Sequence, residues 1–158
     1  MDSKKNWKRV AWHAATAVAA VAIAGGLSYL WNDTQSQWYL SLKKPTFYPP
    51  DQAFAIVWGI LYVLIAIDLF LLLEAGAGPR TYYPLVLTLM LGALWNFAFF
   101  GQQNAAAGVI VLAVAIAACM YTILQSYRIK PLYGLLLLPW LLWQAFALVL
   151  NYAIYMVN

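Results

Sequence analysis

The chain has 158 residues, of which 65% are hydrophobic and 9% charged, with a mean hydropathy of +0.74. A soluble domain carries roughly 25% charged residues, so this composition excludes an ordinary water-soluble globule and points to lipid as the solvent. The net charge is +4, yet the nine Lys and Arg form no patch on a polar face that could track phosphates, which excludes a nucleic-acid-binding module.

A helix needs about 20 apolar residues to cross the hydrocarbon. Five runs meet that length: Val10–Leu30, Phe54–Leu73, Tyr82–Phe100, Ala105–Ser126 and Leu132–Met156. Lipid admits helices or closed barrels as spanning elements, and these runs are too long for barrel strands. The expected fold is therefore all-α, a single membrane domain over residues 1–158 built as a five-helix bundle. Three connections are short, so neighbouring spans run antiparallel. The first run follows Lys4, Lys5, Lys8 and Arg9 and lacks a clear small-residue cleavage site, so it reads as a retained membrane helix and not a signal peptide. His13, near its start, has no second His or Cys at ligand spacing, and no metal or cofactor site is expected.

The connection from the first to the second run carries the stretch Trp38-Tyr39-Leu40-Ser41-Leu42-Lys43-Lys44-Pro45-Thr46-Phe47-Tyr48-Pro49-Pro50. Proline donates no backbone hydrogen bond and disfavours helix for the residue before it, so Pro45, Pro49 and Pro50 keep this segment out of the bilayer helices. Its stiffness lowers the entropy lost when it is held over a pocket, which makes it an expected lid with Tyr39 and Phe47 closing an aromatic box. The competing expectation is an interfacial aromatic belt, and Lys43 and Lys44 read either as a pocket entrance or as headgroup-level cations.

In the second run Trp58 and Tyr62 stand one turn apart, and Asp68 is the one acid within a span. An ionisable residue there is a functional candidate by default, although Asp68 also lies close enough to the helix end to read as a hydrated near-interface carboxylate. In the third run Gly92, Trp95, Asn96 and Phe99 form one stripe at helical spacing. The fourth holds Cys119, the single cysteine, which excludes an internal disulfide and reads as a buried small hydrophobe. In the fifth, Trp140, Trp143, Ala147 and Asn151 share a stripe, with Pro139 as an expected kink.

Aromatics that fill helix interfaces account for any one of these tryptophans. Three helices each offering Trp beside an amide, a hydroxyl or a small residue point further, to an aromatic cavity with a few polar fixing points. No nucleophile–base pair, phosphate-binding loop or paired carboxylate is present in the spans, so a conventional acid–base enzyme is not expected. Seven of the nine basic residues fall on the N-terminal face of the bundle and only Lys43 and Lys44 on the other. By the positive-inside rule the N-terminus is cytoplasmic and the first loop outside.

The order of these motifs resembles the translocator protein family, also called tryptophan-rich sensory proteins or peripheral-type benzodiazepine receptors. The resemblance rests on Trp38-Tyr39, Leu42-Lys43-Lys44-Pro45 and Pro49-Pro50, then Trp58 with Leu61-Tyr62, then Leu94-Trp95-Asn96 with Phe99-Phe100-Gly101. Pro139, Trp143, Ala145-Phe146-Ala147 and Leu150-Asn151 complete it. It covers about 120 residues from Trp38 onward.

The resemblance implies a five-helix bundle, often a homodimer, with a pocket at one end under the first loop. It implies binding of protoporphyrin IX, other tetrapyrroles and aromatic drug-like ligands, at positions corresponding to Tyr39, Pro45, Trp58, Tyr62, Trp95, Trp143, Ala147 and Asn151. Two departures matter. Gly92 stands where many relatives carry Asn one turn before the third-helix Trp, and Asn96 is a candidate to supply that amide from one turn lower. The sterol-recognition pattern of animal members needs a basic residue after its Tyr, and the chain's last residues, Tyr152 to Asn158, have none. The loose pattern Leu124, Tyr127 and Lys130 is too weak to replace it. Sterol binding is accordingly not expected, and a bacterial cell membrane is the expected location.

Three functions remain open on the sequence. The first is a membrane receptor or carrier for a flat aromatic ligand such as a tetrapyrrole. The second is photochemical breakdown of porphyrins by pocket tryptophans, an activity attributed to the family. The third is a ligand-independent partner acting through small-residue faces such as Ala11, Ala15 and Ala19 or Ala113 and Ala117.

Overall fold

A computed structural model describes residues 3–158, with side chains from Asn6 onward, so the Lys4 and Lys5 side chains of the expected basic tail lie outside the described residues. The chain forms helices α1 (Ser3–Trp31), α2 (Gln37–Ser41), α3 (Asp51–Glu74) and α4 (Pro79–Asn96), the last running on as a π-helical turn over Phe97–Gly101. It continues as α5 (Ala105–Ile129), α6 (Pro131–Leu136) and α7 (Leu138–Val157). Five of these units are long and apolar enough to cross a membrane, with α6 and α7 together making the fifth. The all-α five-helix membrane fold expected from the hydropathy runs is the fold observed, with several helices extending past the apolar runs into polar ends.

Helix boundaries follow local chemistry. Pro79 opens α4, where a missing N–H costs nothing because the first-turn donors have no intrahelical acceptor. Asn104 caps α5, its side-chain oxygen accepting from the Ala107 N–H at 2.9 Å. The fifth span breaks at Leu137, two residues before Pro139. Proline cannot donate to the carbonyl one turn back, and the chain interrupts its helix there instead of continuing with an orphaned acceptor.

The spans pack in an order that leaves α1 at the edge. It lies against α3 and α4, while α5 sits centrally between α4 and the α6–α7 pair. Away from the first loop, the core consists of Ile65, Leu69, Leu72, Leu85, Leu89, Cys119, Leu137 and Trp140. Asp68 is buried among them at 0% exposure, so it is not the hydrated near-interface carboxylate that was one of its two expected roles. Its Oδ2 accepts from the Ser126 hydroxyl at 3.0 Å, whereas Oδ1 has no hydrogen-bond partner among the described residues. A second cluster, Tyr39, Phe99, Leu150 and Ile154, lies at the opposite end under the first loop. Outward-facing Ile56, Ile60, Val63, Ile110, Leu142 and Val149 are exposed, as lipid-facing side chains are when hydrocarbon replaces water.

The first loop is less irregular than its prolines suggest. Asp33 Oδ1 accepts from the Gln35 N–H, and Ser36 Oγ accepts from the Tyr39 N–H, which caps the short helix α2. The prolines act further on: the Pro45 carbonyl accepts from the Tyr48 N–H at 3.0 Å, closing a turn with Thr46 and Phe47 at its corner. Across the loop, Asn158 Oδ1 accepts from the Lys43 N–H at 2.9 Å while its Nδ2 donates to the Lys43 carbonyl at 3.1 Å. The loop is thus fastened to the end of α7 through backbone groups.

Candidate functional site

Beneath the loop lies a cavity of about 370 Å³, open at one side, to which α1, α3, α4 with its π-helical turn, α7 and the loop all contribute. Concave sites of roughly 300–1,000 Å³ with mostly apolar walls are the usual form of small-molecule pockets. Its wall is built of Trp58 and Tyr62 from α3, Trp95, Asn96, Phe99 and Phe100 from the third span, and Ala147, Leu150, Asn151 and Ile154 from α7. Tyr39 and Tyr48 reach in from the loop.

The π-helical turn explains how the third span supplies so many neighbours. In a regular helix Phe100 would stand well round from Trp95, five positions earlier. The wider turn, closed by the Gln102 N–H donating to the Phe97 carbonyl at 2.8 Å, brings both into the wall. Trp95 stacks on Phe99 with ring centres 5.5 Å apart and planes 22° from parallel. Phe100 meets Trp95 edge-on at 5.9 Å and lies against Tyr39 at 5.3 Å. On α3, Trp58 and Tyr62 lie 5.3 Å apart.

A short polar chain fixes this wall. Trp95 Nε1 donates to Asn151 Oδ1 at 2.8 Å, and Asn151 Nδ2 donates to the Ala105 carbonyl at 2.9 Å. Gly108 makes room for it, because a Cβ there would collide with Asn151 Oδ1. Asn96 Nδ2 donates to the Gly92 carbonyl at 3.1 Å, so this amide is held by its own helix while its residue lines the cavity. A Cβ at Gly92 would meet nothing within 4 Å. Gly92 itself is not part of the cavity wall.

At the loop, the Tyr39 and Tyr48 hydroxyls hydrogen-bond each other. Burial, and then the bond to Tyr39 and the charge of Asp51, push the Tyr48 phenol well above the ordinary tyrosine range. Lys44 Nζ sits 4.1 Å from the Tyr39 ring centre and 4.7 Å from that of Tyr48, a cation–π arrangement with both rings.

Of the residues singled out from sequence, Tyr39, Trp58, Tyr62, Trp95, Asn96, Ala147 and Asn151 line the cavity. Pro45, Phe47, Trp143, Lys43 and Lys44 stand outside its wall. Phe47 is 48% exposed because the turn begun at Pro45 places it at the corner and sends Tyr48 inward. Trp143 is one layer behind: it meets Phe54 edge-on at 5.6 Å, and Phe54 lines the cavity. Lys43 is held by its backbone to Asn158, and Lys44 by the two phenol rings.

Sequence reasoning missed Gly25, Ser28 and Tyr29 of the first span, Asn32, Thr34 and Tyr48 of the loop, and Asp51 and Phe54 at the start of α3. The available signal was Ser28 in the last turn of an apolar helix, followed by the polar residues Asn32, Asp33 and Thr34 just beyond its end. Gly25 faces α3 at close range, since a Cβ there would lie 3.3 Å from the Tyr62 ring.

Comparison with known proteins agrees with this architecture. The sequence model of the TspO/MBR family matches residues 14–156. A tryptophan-rich protein TspO of Archaeoglobus fulgidus is 38% identical over 144 residues, spanning 90% of this chain and 92% of that protein. The human translocator protein is 32% identical over 127 residues, 77% of this chain and 75% of the relative. Protein CrtK of Rhodobacter capsulatus is 28% identical over 143 residues, 88% of each chain. With a family match across nearly its whole length and five membrane-spanning helices, the chain is an integral membrane protein that belongs to the TspO/MBR family.

Proposed function

We propose that this protein is a membrane receptor or carrier for flat, aromatic, lipophilic molecules of the tetrapyrrole class, which it binds in the cavity under the first loop. The observation that carries this reading is the composition of the wall: rigid indole, phenol and phenyl faces from three spans and the loop, with the Trp95–Asn151 and Tyr39–Tyr48 hydrogen bonds among them. Large aromatic faces give a planar ligand stacking area at little cost in side-chain entropy, and the few polar groups orient its edges. The Lys and Arg bias supports a first loop, and with it this cavity, on the outer side of the membrane.

The test is a fluorescence titration of the purified protein with protoporphyrin IX. Saturable quenching of tryptophan emission, weakened about tenfold or more when Trp58 or Trp95 is replaced by Ala, is the expected result, since loss of one stacked ring removes roughly 1–1.5 kcal/mol beyond area burial. Quenching that never saturates, or that is indifferent to both substitutions, would remove the reading.

A further inference from the structure

The cavity wall is aromatic and polar but carries a single charged side chain, and it is an acid. Asp51 lines the mouth at the first turn of α3, where its side chain is exposed. Among the described residues it has no ion-pair partner within 4 Å. The two basic residues nearest in the loop sequence do not line the cavity: Lys44 lies over the faces of Tyr39 and Tyr48, and Lys43 is tied through its backbone to Asn158. The remaining polar lining, such as Ser28, Asn32 and Thr34, is neutral.

We infer that Asp51 sets the charge preference of this site, so that the bound edge of an aromatic ligand facing the α1–α3 side of the mouth is neutral or cationic, not a carboxylate. This rests on the cavity being the binding site, as proposed above, and it specifies the ligand further. A planar aromatic whose polar edge is esterified, amidated or amine-bearing places a hydrogen-bond donor or a positive charge against an unpaired carboxylate. A free carboxylate at the same edge meets like charge, with no lysine or arginine in the wall to offset it. Asp51 is itself exposed, so water and salt screen the effect, and the discrimination is about three- to tenfold at low ionic strength and shrinks as salt rises.

The experiment titrates the full chain, in neutral-lipid nanodiscs, with three probes that share one macrocycle. These are protoporphyrin IX with its free carboxylates, its dimethyl ester, and the diamide formed with ethylenediamine, whose free amines are cationic at neutral pH. The expected order of affinity is amine, then ester, then carboxylate. Asp51→Asn is expected to compress that spread by about three- to tenfold and Asp51→Lys to reverse it, with the helical circular dichroism spectrum unchanged because the side chain is exposed. If the probes bind but their ratios are the same in wild type and both variants, the inference is wrong while the binding reading stands. If none of the three binds the wild type, the binding reading fails and takes the inference with it.

Discussion

Trp95 donates its indole hydrogen to Asn151, which donates in turn to the carbonyl of Ala105, so three spans are joined by two hydrogen bonds at the wall of the cavity. Between them the two bonds use the indole N–H, the amide oxygen and the amide nitrogen. Replacing Asn151 by Ala leaves the half-buried indole N–H without its acceptor and removes the tie to the Ala105 carbonyl, which keeps only its place in the α5 helix ladder. The expected cost is about 1–3 kcal/mol of stability, because an unmade bond in a low-dielectric site costs the desolvation of the group left behind. Gly108→Ala is expected to have a similar effect by displacing Asn151. Thermal unfolding in detergent, followed by circular dichroism, checks both.

The placement of the tryptophans separates two variants that look alike in sequence. Trp58 lines the cavity, whereas Trp143 touches it only through Phe54. Trp58→Ala is expected to weaken porphyrin binding about tenfold with little change in melting temperature. Trp143→Ala is expected to lower stability by about 3 kcal/mol, the cost of emptying a packed aromatic position, and to weaken binding less. Parallel titrations and melts of the two variants distinguish these patterns.

The loop is held shut by Asn158. Its side chain makes one bond to the Lys43 N–H and one to the Lys43 carbonyl. Asn158→Ala removes both and is expected to speed ligand release by about five- to tenfold, since each such bond is worth roughly 0.5–1.5 kcal/mol. Stopped-flow displacement of bound porphyrin measures this, and an unchanged release rate would mean that the loop does not gate the cavity.

Alkaline pH provides a test of the phenol pair. The Tyr48 hydroxyl resists ionisation in the folded chain, chiefly through burial and then through its bond to Tyr39, while in the unfolded chain it ionises near 10. A raised folded value contributes stability that is complete below the unfolded value and is lost as pH climbs beyond it. Wild-type melting temperature is therefore expected to fall as pH rises above about 10, and less steeply in Tyr48→Phe.

Asp68 and Ser126 make a different kind of pair, buried among apolar side chains and half satisfied. Ser126→Ala strips the carboxyl of its remaining partner and is expected to cost about 1–3 kcal/mol. Adding Asp68→Leu to that variant removes the polar group altogether and is expected to recover most of the loss, since apolar replacement of both partners is close to neutral. Melts of the single and double variants decide it.

What could be read from the sequence follows the range of the physics involved. The five spans were legible because each is a local property, a run of apolar residues longer than the hydrocarbon is thick. Trp58, Tyr62, Trp95, Ala147 and Asn151 were legible because helical spacing puts them on common faces. The lid was misjudged in detail because its conformation is set by a Ser36 cap, a turn at Pro45 and a side chain 115 positions away at Asn158. That is why Tyr48, and not Phe47, faces inward. The first span's share of the wall was missed for a related reason: Gly25 and Ser28 look like ordinary helix residues until α3 packs beside α1. Asn96 shows the limit of spacing alone, since one of its amide hydrogens is taken by the Gly92 carbonyl of its own helix.

Filling the cavity is the most direct test that it is the binding site. Ala147 is a small, half-buried lining residue of α7, close in sequence to Asn151 but outside the hydrogen-bonded pair. In a titration of wild type and Ala147→Phe with protoporphyrin dimethyl ester, followed by tryptophan quenching, the variant is expected to bind at least about tenfold more weakly while its circular dichroism stays unchanged, because the added ring occupies the space the ligand needs. Equal affinity in the two proteins would contradict the assignment of this cavity as the ligand site.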